Sequence, residues 1–155
     1  MITMHRWTIA TILSAGLLSL PACAVVSENV SRDPLRGGYP GYAVEYVDAM
    51  PSPGKGLAAG TSVRFEIKVR YLLQRAEKGT LELTFEDDSQ RRLQPSGGDV
   101  TLEIQRCRWT PATLSKTVEI PGGTSELYLV IPLTPEGDRD PRGALRLRYP
   151  VVRSQ

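Results

Sequence analysis

The residue types that carry most acid, base and metal chemistry are scarce in this chain and poorly spaced for it. His5 is the one histidine, and it precedes an apolar run that reads as an export signal. Residues 23–155 therefore offer no imidazole for a Ser-His-Asp or Cys-His pair, or for a His-bearing zinc site. Carboxylates remain. Glu86-Asp87-Asp88 is the densest cluster, but adjacent acids in a turn are ordinarily solvated. Glu136, Asp138 and Asp140 stand at alternate positions and could aim oxygens at Ca²⁺. A dedicated Ca²⁺ loop needs more oxygen ligands with a Gly-enabled turn among them, whereas here Arg139 separates the two Asp residues and a polar turn ending at Pro141 is the simpler reading. Gly54-Lys55-Gly56 lacks the earlier spaced Gly and the following Ser or Thr of a phosphate loop. No catalytic residue, metal ligand or cofactor is expected, and an enzyme is not.

Surface recognition has better candidates. Trp109 is the only tryptophan beyond Trp7 and follows Arg106-Cys107-Arg108, a pairing of aromatic and cationic groups that suits a sugar-stacking platform or a protein hot spot. A Trp closing the end of a core is the plainer expectation. Cys107 is left without a disulfide partner by either processing route at Cys23, and free Cys is among the most buried residue types. The arginines at 139, 142, 146, 148 and 153 read as an exposed strand face balanced by Glu-bearing strands.

The N-terminus reads as a targeting segment, with Arg6 followed by an apolar stretch too short to span a bilayer comfortably. Its end, Leu20-Pro21-Ala22-Cys23, resembles a bacterial lipobox. The resemblance implies that Cys23 is lipidated as the first mature residue, and Ala24 after it implies the outer membrane where the cell has one. The competing reading is ordinary signal peptidase cutting after Ala22-Cys23-Ala24, which gives a soluble secreted form. The expected organisation is a signal peptide over 1–22, a Gly- and Pro-bearing flexible tether over 23–41, and one domain over 42–155. Removing Arg6 from the 19 basic residues leaves 18 against 17 acidic ones, so general nucleic-acid binding has no electrostatic basis.

The domain is organised around 62–71, where Val63, Phe65, Ile67, Val69 and Tyr71 alternate strictly with polar residues, the pattern of a strand with one buried face. The same period recurs over 42–47, 80–86, 100–104, 126–133 and 144–149, with shorter segments near 91–94 and 118–120. Residues 72–79 read as a helical turn or connecting loop. After Ile104 the parity fails, and a β-bulge near Gln105 would turn Cys107 and Trp109 inward. The fold class expected is all-β, a single β-sandwich of about seven strands. Ala59-Gly60-Thr61-Ser62 and Gly122-Gly123-Thr124-Ser125 each open a long alternating strand. They resemble the B and E strands of bacterial extracellular immunoglobulin-like and fibronectin-type modules. That resemblance implies that 62–71 pairs with 126–133, and not in a hairpin with 80–86, and that the module binds or scaffolds without catalysis.

The functional expectation is an exported, lipid-anchored cell-envelope protein, resident at the outer membrane or in the periplasm, that acts through an envelope protein partner. A glycan-binding module is the alternative, marked by Trp109 sharing an exposed face with Tyr42 or Tyr128. A structural scaffold with no ligand is the remaining one.

Overall fold

A computed structural model describes residues 30–32, 39–95 and 98–153; the signal and Cys23 lie outside the described residues. The described chain is all-β: β1 (Val30–Arg32), β2 (Tyr42–Met50), β3 (Leu57–Ala58), β4 (Ser62–Asp87), β5 (Arg92–Leu93), β6 (Val100–Glu119), β7 (Glu126–Pro135) and β8 (Gly143–Val152).

The central strand does not end at Tyr71. It runs on through the segment expected to be a connector, so that 62–71 and 80–86 are two halves of β4. The first half lies between β2 and the second half of β6. The second half lies between the first half of β6 and β7, which continues to β8 and β1. Phe65 and Phe85 stand 20 residues apart on this strand, about 65 Å if it were straight at roughly 3.3 Å per residue. Their ring centroids are 5.8 Å apart, so β4 bends back over itself and each half joins a different layer. Phe65 also meets the Tyr149 ring of β8 at 5.4 Å, edge-on. The layering is that of a β-sandwich, but the pairing differs from the one that the immunoglobulin-like resemblance implies. The first half of β4 bonds to β2 and β6 and not to 126–133, and the hairpin with 80–86 is also absent, because the chain crosses between layers inside the strand.

Two irregularities make the bend. Between Leu73 and Lys78, β4 advances five residues while its partner β6 advances two, from Cys107 to Gln105. Extra residues on one strand increase bending and twist locally. Gly79 follows, where β4 enters the second layer. A Cβ there would lie 2.8 Å from the Thr134 carbonyl oxygen of β7, so only glycine allows the two backbones to approach this closely.

The core fills from the inward phase of each strand: Phe65, Ile67, Val69, Leu73, Leu81, Leu83, Phe85, Leu127, Leu129, Ile131, Leu133 and Leu147 are all buried. Arg64, Lys68 and Arg70 of the interleaved set are exposed. The reading of 23–41 as tether is corrected in part, since Val30–Arg32 pairs with β8 (Val30 opposite Leu147) and Val30 is buried in the core. The Tyr39 N–H also donates to the Arg142 carbonyl at 3.2 Å, so the folded domain begins before residue 42.

Candidate functional site

Trp109 is on the surface, contrary to the core position expected for it. The break expected near Gln105 is a register shift whose extra residues lie on β4, between Leu73 and Lys78, and not on β6; Cys107 is half-buried opposite Leu73, with its Sγ 4.0 Å from the Tyr71 carbonyl. A second register shift follows. From Cys107 to Thr110 β6 advances three residues while β4 advances two, from Leu73 to Tyr71. This reverses the phase again and sends Trp109 outward, 43% exposed.

On that outer face three strands contribute one row. Glu45 of β2 is opposite Arg70 of β4 and accepts from the Arg70 Nε at 2.7 Å and from a terminal guanidinium nitrogen at 2.6 Å. The Arg70 guanidinium in turn lies 5.0 Å from the centroid of the Trp109 ring. Glu45 fixes the fork and the cation covers the ring, an arrangement that holds a large aromatic surface in one orientation before anything binds. Arg106 is tied to the bend by a 2.8 Å ion pair with Glu77, and its Nε donates to the Ala76 carbonyl at 3.4 Å. Arg108 is exposed and has no ion pair among the described residues. Nothing near Arg70 in sequence announces its role, because 39 residues separate it from Trp109 and only the β4–β6 register joins them.

The other aromatic residues do not join this face. Tyr42 packs against the core. Tyr128 is on the outer side of the other layer, its ring 4.0 Å beneath the Arg146 guanidinium and its hydroxyl donating to Glu126. Glu126 also accepts from Arg148, which holds its carboxyl below the usual range. The paired-aromatic platform that would mark a glycan-binding module is not assembled.

The acidic turn is not simply solvated. Glu86 and Asp87 are each only 5% exposed. Asp87 accepts from the N–H groups of Ser89 at 3.0 Å and Arg91 at 2.9 Å, and from the Arg91 Nε at 3.0 Å. Asp88 accepts from the Ser125 N–H at 3.1 Å and hydroxyl at 3.0 Å, which lowers its pKa. Glu86 lies 3.7 Å from Arg146. Each acid thus serves a different structural partner, and the three do not converge on a reacting position. In the loop after β7, Asp138 accepts from Arg142 at 2.7 Å and has its pKa lowered by that bond.

A second concave feature was not expected. Where β4 enters the second layer, a groove of about 510 Å³ is lined by Lys78, Thr80, Glu103, Gln105, Thr134 and Glu136, with Gly79 in its lining. It combines residues from β4, β6, β7 and the loop after β7. Its presence depends on 72–79 being strand, which the local sequence did not show.

No family model matches the chain, and no curated protein matches it. Among solved structures, the chain is similar to a Niemann-Pick type C2 protein from Japanese carpenter ant, at TM-score 0.38 and 9% identity, over 74% of this chain and 96% of that one. It is also similar to the apo-form Calx CBD1 domain, at TM-score 0.38 and 10% identity, over 74% and 98%. Both overlaps are too loose to bear on what this chain does.

Proposed function

We propose that this chain is an exported, lipid-anchored module of the bacterial cell envelope that acts without catalysis, by binding an envelope protein through the surface around Trp109. Arg108 and Arg106 border that surface. The observation that carries the reading is the Glu45–Arg70–Trp109 row, in which an ion pair orients a cation against a half-exposed tryptophan. Tryptophan and arginine are the residues most often found at energetic centres of protein interfaces.

The anchor is Cys23, acylated at the outer membrane or facing the periplasm, with no cofactor, nucleic acid or metal required. Seven peptide steps separate Cys23 from Val30, where the folded domain starts. At full extension they span only about 24 Å, so the domain would be held close to the membrane and its partner would be met there.

Two measurements test this. Metabolic labelling with a palmitate analogue should mark the wild type and not Cys23→Ala; an unlabelled wild type removes the anchor. Capture from envelope extracts should retain a protein on the wild type that Trp109→Ala loses. Identical retention by both would remove the Trp109 surface.

A further inference from the structure

Strand β6 is paired on one side only. β4 is its partner along both halves, and no other strand among the described residues lies against its far side. The main-chain N–H and C=O groups of that side are therefore available to an incoming strand, a property that proteins otherwise suppress by breaking or covering the edge. The breaks here are local: the two register shifts between Gln105 and Thr110, followed by Pro111. Before them, 100–105 runs in uninterrupted register on 78–83, long enough to hold about six residues of an added strand.

This same stretch contributes to the groove. Glu103 and Gln105 belong to its lining, with Thr80 and Thr134 on the neighbouring strands and Glu136 in the loop after β7. The Glu136 N–H donates to the Lys78 carbonyl at 2.9 Å, which holds that loop against β4. Glu103 and Glu136 have no ion pair among the described residues, while the third carboxylate, Asp138, is matched by Arg142. Lys78 is the one cation in the lining, so two uncompensated carboxylates face a single ammonium group. The carboxylates come from a strand and a loop and do not converge on a point, which suits an extended ligand better than a bare ion.

We infer that the β6 edge over 100–105 receives an extended basic segment of a partner protein, its main chain bonded to the edge and a Lys or Arg side chain set against Glu103 at the near wall of the groove. Strand addition of this kind takes affinity from main-chain hydrogen bonds and specificity from alternate side chains. The inference rests on the protein-binding reading above, but uses a surface separated from Trp109 by the two register shifts.

The test uses the full chain with seven-residue acetylated, amidated peptides of alternating valine and lysine, or valine and glutamate, titrated by calorimetry at 150 mM salt. The lysine peptide should bind. Glu103→Lys should weaken it at least tenfold and let the glutamate peptide bind. N-methylating one alternate set of peptide amides should abolish binding, and methylating the other set should leave it. Trp109→Ala should leave lysine-peptide binding unchanged, so that failure here and failure of the Trp109 surface are read separately. Absence of binding, equal affinity for both peptides, indifference to Glu103→Lys, or equal tolerance of both methylation patterns overturns the inference.

Discussion

Replacing Phe65 and Phe85 by leucine, singly and together, measures whether the two halves of β4 face each other across the core. Both side chains are fully buried, so each exchange removes ring contacts without exposing a polar group, at about 1–2 kcal/mol. Phe65 makes a second ring contact with Tyr149, and its replacement should be the more costly of the two. The Phe65–Phe85 pair, tilted by 55° at 5.8 Å, is worth about 0.5–1.5 kcal/mol beyond the area that each ring buries. The double variant should therefore lose less than the sum of the singles by about that amount. Domains of this size are stable by about 5–15 kcal/mol, so all three variants should stay folded and give full urea transitions. Costs that add to within about 0.3 kcal/mol would show that the rings do not meet, and the bend in β4 would be refuted with them.

Other expectations concern the close approach at the bend and the acid stability of the turns. Gly79→Ala should destabilise by about 1–3 kcal/mol, because the new methyl group meets the Thr134 carbonyl and backbone must move. Gly122→Ala, with open space around it, should be neutral or stabilising by up to about 1 kcal/mol; equal urea midpoints for the two would contradict the close approach. The carboxyls of Asp88, Glu126 and Asp138 all titrate lower in the folded chain, through bonds from Ser125, Arg148 and Arg142 respectively. A depressed folded pKa gives stability that is present above the unfolded value and lost as pH falls through the folded one. The urea midpoint should thus be flat from about pH 8 to 5 and fall below about pH 4, and Asp88→Asn should lower the neutral midpoint while reducing that fall. A midpoint that rises on acidification would contradict the assignment.

What the sequence showed and what it hid have the same physical origin. Strict alternation over 62–71 and in Leu127, Leu129, Ile131 and Leu133 identified the buried phase correctly, because period 2 is a local property of a half-buried strand. Which strands pair is not local. The continuation of β4 through 72–79 depends on β2, β6 and β7 being present to accept it; Leu73 is core and Gly79 is a contact with β7, yet both stand in a stretch that reads as a turn on its own. Trp109 shows the limit most clearly. The parity break near Gln105 is legible, whereas the second shift is marked only by Leu114, Val118 and Ile120 returning to the phase of Ile104, with nothing to say where between Cys107 and Leu114 the phase changes; that position decides that Trp109 faces outward. Glu86 and Asp87 look solvated in sequence because acids in a turn usually are; their partners, Arg146 and the Ser89 and Arg91 amides, become available only once the sheet and turn have formed. The docking of Val30 on β8 was hidden for the same reason, three residues being too few to show a period.

The surface around Trp109 is tested most directly in the living cell, by placing a photo-crosslinking phenylalanine derivative at position 109 or at Thr117. Both positions are exposed on β6, and Thr117 is opposite Arg64 at the far end of the same outer face. Irradiation should give a discrete protein adduct from position 109 and none from position 117. No adduct at 109, or the same adducts from both positions, would contradict a binding surface centred on Trp109.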